Sequence, residues 1–100
     1  MEKFYVVVNR AFARGLAVAQ TAHAVAAFAH EHGAADIVNA KVVCFGAVDT
    51  AELEAIYRSL HEAGVKVTAF HEPDHENAMT AFVAEGGNRT AKAMSVLPFL

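Results

Sequence analysis

The stretch "HEPDH" at residues 71–75 matches the H-E-x-x-H pattern of zinc proteases. There, two histidines four apart on a helix share one metal ion and the glutamate serves as general base. Pro73 stands between His71 and His75 here, and proline inside a helix is disfavoured by ~3 kcal/mol. The preceding "VKVTAF" alternates like a strand, so His71 is expected to end a strand and His75 to lie in a turn. No histidine follows residue 75, so a third ligand would have to be Glu76 or Glu85. A metal-dependent hydrolase using His71 and His75 is disfavoured, and no metal or other cofactor is expected. The acids of the pattern keep a meaning of their own. Glu72, or Asp74 beside it, could orient a water molecule at the strand end, and Thr80 in the next strand could help hold it. The same residue types are ordinary turn formers.

Two further places carry chemistry. The segment from Asn9 to Gly15 leaves an apolar strand and runs into a long helical stretch, with Arg10 and Arg14 inside it. Free amides and the positive end of a helix dipole make such a junction receptive to anions, and arginines add charge-assisted contacts to phosphate. Any strand-to-helix turn has this geometry, however, and arginines also simply solvate loops. Within the helix, Leu16, Gln20, His23, Ala27 and His30 share one face, with Val18, Ala22, Val25 and Ala29 on the other. His23 could act as acid, base or hydrogen-bond anchor. It could equally be a core histidine tied to a backbone carbonyl, and spacing favours that role.

These residues need a scaffold. "KFYVVVN" (3–9) reads as a strand covered on both faces. "LAVAQTAHAVAAFAHEHG" (16–33) reads as an alanine-rich helix stopped by Gly33. "AKVVCFGAV" (40–48) is a second strand, followed by Asp49 and Glu52 in a capping-box-like pair. Leu53, Ile56, Tyr57 and Leu60 recur at helical spacing before Gly64, and strands follow at 65–70 and 78–84. The order β-α-β-α-β-β predicts one α/β domain over residues 1–100, with a four-stranded mixed sheet flanked by helices. The tail "NRTAKAMSVLPFL" reads either as a short helix ending before Pro98 or as an apolar strap on the core or on a second subunit.

Bulk composition narrows the functional classes. One hundred residues form one domain. The hydrophobic share of 55% leaves apolar surface that self-association would cover. A net charge of −3 supplies no general basic field for nucleic acid. Residues 49–76 hold seven acids against Arg58 and Lys66, so a polyanion would meet the N-terminal half or Arg89 and Lys92. Cys44 is the only cysteine, which reads as a buried thiol in a reducing compartment. No apolar stretch approaches the ~20 residues that span a bilayer, so a cytoplasmic protein without a membrane partner is expected.

At "RGLAVAQTAHA" (14–24), following "YVVVNR", the sequence resembles the type 2 peptidyl-tRNA hydrolases. The later "KVVCFGAVDTAELEAIYRSLHEAGVKVTAF" is similar to that family's second strand, acid-rich helix and third strand, so the resemblance spans about residues 3–84. It implies a compact α/β homodimer that cleaves the ester joining a peptide to the 3′ end of tRNA, without a metal. It also implies roles for a lysine at the start of the first helix, the signature glutamine, an aspartate after the third strand and a threonine entering the fourth. Gln20 and His23 fall on the signature, Thr80 near the threonine, and Glu72 where the aspartate is expected. Leu16 occupies the lysine position, where a cation could hold a phosphate or the developing oxyanion. Arg10, Arg14 and Gly15 are then expected to contact phosphate. Leu16 also supports an alternative: a dimeric binding or regulatory module that keeps the fold without catalysis.

Overall fold

The computed structural model describes residues 3–33 and 35–100. Strand β1 (Lys3–Asn9) is buried from Phe4 onward, as its β-branched run demands. Helix α1 (Arg14–His32) begins two residues earlier than the alanine pattern indicates, taking in Arg14 and Gly15, and ends at Gly33 in left-handed geometry (φ 63°). A 3-10 turn (Ala35–Asn39) leads into β2 (Lys41–Ala47). Helix α2 (Thr50–Glu62) is capped as expected. The Asp49 side chain accepts from the Glu52 amide at 2.9 Å, while Glu52 reaches back to accept from the Val48 amide at 2.8 Å. Strands β3 (Val67–Glu72) and β4 (Ala78–Glu85) follow, then a short helix α3 (Asn88–Met94).

The sheet runs in the order β2-β1-β4-β3, with β1 parallel to β2 and β4 antiparallel to both its neighbours. Strands β1, β2 and β3 therefore point the same way, and Asn9, Ala47 and Glu72 end along one edge of the sheet. Alternation sends Phe4, Val6 and Val8 to one face, where Ala17, Ala24 and Phe28 of α1 pack on them. Tyr5 and Val7 turn to the other face, against Leu53 and Leu60 of α2. The stripe of α1 that meets the sheet is Ala17, Gln20, Ala24 and Phe28, which are all buried. Gln20 is thus the one polar member of a core-facing row.

Two features escape a reading by periodicity. The β3–β4 register shifts between Phe70 and His71, since Phe70 pairs with Ala81 but His71 with Met79. Thr80 is the extra residue of a β-bulge. Without the bulge it would share the face of Phe82 and Ala84; with it, Thr80 turns towards α1. The tail uses both of its expected forms. After α3, Pro98–Leu100 lies along the outer edge of β2, where Gly46 N donates to Pro98 O and Leu100 N to Cys44 O, both at 3.0 Å. Phe45 bridges Phe99 there in antiparallel fashion, with their rings stacked at 5.3 Å. Among the described residues, no helix is long and apolar enough to cross a membrane.

Candidate functional site

Alternation along β3 points Thr68, Phe70 and Glu72 towards α1. At the strand's end, Gln20 Nε2 donates to Glu72 Oε2 at 2.7 Å, and Thr80 Oγ1 donates to Gln20 Oε1 at 3.0 Å. A carboxylate only accepts, so it fixes the direction of the whole chain: amide nitrogen to Glu72, amide oxygen to Thr80, and the Thr80 proton to the amide. Gln20 and Thr80 are buried, at 2% and 1% exposure, whereas Glu72 is half-buried and reaches the surface. The second Glu72 oxygen accepts from the Asp74 amide at 3.3 Å, capping the 3-10 turn Pro73–His75. The Gln20 bond first, and then the Asp74 amide, hold the Glu72 carboxyl below its usual range against a smaller opposing desolvation. Nearby His75 and His23 push in the same direction. Glu72 is therefore ionised at neutral pH, with acceptor capacity turned towards solvent. Its lowered pKa makes it a better orienter of water than a base.

The structure thus brings Gln20, Glu72 and Thr80 together by hydrogen bonds and leaves the other expected residues outside that chain. His23 is exposed and its ring stacks on Phe70 at 4.9 Å and 13°, so it is not a core histidine tied to a carbonyl. Leu16, one helical turn before Gln20, is half-buried. Arg10, Arg14 and Ala17 line a cleft of about 670 Å³ together with Val18 and Cys44, on the β2 side of α1. Gly15, next to Arg14, has no heavy atom near the position a Cβ would take. Cys44 is half-buried rather than fully enclosed, and desolvation raises its thiol pKa.

Phe12 and Phe70 were not apparent as site residues from spacing. Phe12 lines the arginine cleft and its ring also lies 5.1 Å from that of His75, so it stands between the cleft and the Glu72 loop. An aromatic in a polar loop "NRAFARG" was the available signal. The two histidines of "HEPDH" part company. His71 turns to the α2 side, beside Glu54, Tyr57 and His61, while His75 sits against Phe12. The residues after Pro73 follow a tight path in which Glu76 and Asn77 both take left-handed geometry (φ 58° and 59°).

No protein-family model matches the chain, and no curated protein matches it. Among solved structures, a protein of unknown function from Agrobacterium tumefaciens strain C58 is similar, with a TM-score of 0.76 over 98% of this chain and 96% of that one. The two are 12% identical, so the likeness is one of fold alone. What the chain shares with it is the α/β architecture: a four-stranded mixed sheet between helices.

Proposed function

We propose that the protein is a divergent peptidyl-tRNA-hydrolase-like esterase that hydrolyses an acyl ester such as peptidyl- or aminoacyl-tRNA without a metal. The observation that supports this reading is the Gln20–Glu72–Thr80 chain, which sets an ionised carboxylate at a solvent-facing strand end. In the proposal, Glu72 orients the attacking water. Gln20 holds that carboxylate, and Thr80 holds Gln20, so both act as positioning residues. The stacked His23 forms one wall of the site with Phe70. Arg10 and Arg14, with the Gly15 amide, would meet a substrate phosphate from across Phe12. The protein would act in the cytoplasm as a homodimer, for which exposed Val48, Val96 and Phe99 offer apolar surface.

The test is hydrolysis of N-blocked aminoacyl-tRNA by wild type and Glu72→Ala, each with and without chelator. The expected result is turnover that is indifferent to chelator and lost in Glu72→Ala. Retained turnover in Glu72→Ala would overturn the assignment of Glu72. A second reading, a binding module without catalysis, is favoured by Leu16, which puts an apolar group where the resemblance expects a cation. No turnover in wild type, with gain in Leu16→Lys, would establish that second reading.

A further inference from the structure

The ester-hydrolase reading uses Arg10 and Arg14 but not the apolar lining of the cleft beside them. Strand β1 feeds α1 on one face of the sheet, and its parallel neighbour β2 feeds α2 on the other. The crevice at the carboxyl end of β1, lined by Asn9 and Arg10, is the kind of position at which open α/β sheets bind ligands. Asn9 holds that crevice in shape: its side chain donates to Thr50 Oγ1 and accepts from the Ala11 amide, both at 2.9 Å. Arg10 is anchored across it. Its amide donates to Ala47 O at 2.8 Å, and its aliphatic stem lies directly on Gly46, where a Cβ would collide with Cγ and Cδ.

The charged side chains that line the cleft, Arg10 and Arg14, are of one sign. The start of α1 has no acid in its first turn and no side-chain cap, and the helical ladder begins only with Ala17 donating to Ala13 O. The amides of Arg14, Gly15 and Leu16 precede it. Among the described residues, no carboxylate lies within ion-pair distance of either arginine. The rest of the lining is mostly apolar: Phe12, Ala17, Val18, Cys44 and Leu100. Val18 is 67% exposed, an open apolar surface next to the cations. A cationic end and an apolar body within one ~670 Å³ cleft match the size and polarity of small-molecule sites.

We infer that this cleft binds a small amphiphilic anion, with a carboxylate or phosphate head between Arg10 and Arg14 and an apolar chain or ring along Val18 and Cys44. The planar guanidinium forks suit either head, and the helix start adds field of the same sign. A polymeric anion would use the arginines but leave the apolar wall bare. The inference goes beyond the ester-hydrolase reading and does not depend on it.

The test is an amide-resolved NMR titration of the full chain with octanoate and with octyl phosphate, using octanol and inorganic phosphate as half-ligands. Saturable shifts centred on the amides of Arg14, Gly15, Thr21 and Cys44 are expected with both octyl anions. Their relative affinity identifies the head. Arg10→Gln and Arg14→Gln, both at exposed positions, should each weaken binding by about tenfold or more. Glu72→Ala should bind as wild type does, because the hydrolytic reading shares the arginines with this cleft but Glu72 is not among its lining residues. Octanol binding as tightly as octanoate would overturn the anionic head, and inorganic phosphate binding as tightly would overturn the apolar body. Shifts of Val18 and Thr21 that follow protein concentration while octanoate moves nothing would mean that a second copy covers this face, which also overturns the proposal.

Discussion

Replacing Thr80 with valine tests the hydrogen-bonded chain at its buried end. The side chains are nearly isosteric, so packing changes little, and β4 tolerates a β-branched residue. What disappears is the one proton given to Gln20 Oε1, at a residue only 2% exposed. The amide cannot recover by flipping, because that would set its oxygen against the Glu72 carboxylate 2.7 Å from the present nitrogen. A buried acceptor left without a donor costs about 1–3 kcal/mol. With a urea m value of about 1–3 kcal/mol/M, a loss near 2 kcal/mol lowers the unfolding midpoint by roughly 0.7–2 M. Urea denaturation of wild type, Thr80→Val, Gln20→Leu and the double variant gives the coupling directly. The expected interaction energy is about 1 kcal/mol or more, since the double variant has no orphaned amide oxygen. A Thr80→Val midpoint equal to wild type, or a coupling near zero, would refute the chain as drawn.

The Glu72 carboxyl should titrate below the ordinary glutamate value of about 4.3 when followed by NMR, and should move upward in Gln20→Leu, because that bond is the largest cause of the shift. With the folded value below the unfolded one, Glu72 stabilises the fold above the unfolded value and loses that contribution as pH falls through the folded value. Thr68→Val offers a contrast. Thr68 Oγ1 donates to Glu31 Oε2 at 2.6 Å and lies 3.1 Å from His32 Nε2, but Glu31 can turn to water, so denaturation should register only about 0.5–1.5 kcal/mol. Gly46→Ala should displace the Arg10 stem, seen as shifts at Arg10 and Arg14 in an amide spectrum that otherwise matches wild type. An unchanged Arg10 signal would refute that contact.

The elements most legible in the sequence are those with strong local chemistry. "KFYVVVN" gives β1 to the residue, and Asp49 and Glu52 mark the start of α2, because β-branching and capping act over a few bonds. The start of α1 is harder to read. Gly15 has weak helix propensity, yet it lies inside the first turn, where that penalty is small. The boundary of β3 is displaced by two residues, since "VK" precedes the pairing and His71 and Glu72 are held by it. Of the site, Gln20, Glu72 and Thr80 were identifiable by type and position. The resemblance implied one site for them, but their direct hydrogen-bonded chain was not legible, because it depends on a bulge that single-strand alternation cannot encode. The split between Arg14 and Gln20, six residues apart on one helix, follows from rotation about the α1 axis and only becomes meaningful once the sheet beneath it is placed.

The tail strap on β2 has a consequence for how the chain behaves among copies of itself. An outer strand with bare amides and carbonyls is a template on which another strand can grow. Gly46 N and Cys44 O are already occupied by Pro98 and Leu100, so the carboxyl-terminal half of that edge is closed from within. At the opposite margin, His32 Nε2 lies 3.4 Å from Val67 O and Pro73 ends the strand, which together blunt β3. Removing residues 98–100 would free Cys44 O and Gly46 N and leave the mainly apolar edge of β2 open along its length. The first sign of that loss would be strand-mediated aggregation at concentrations where the intact chain stays dispersed.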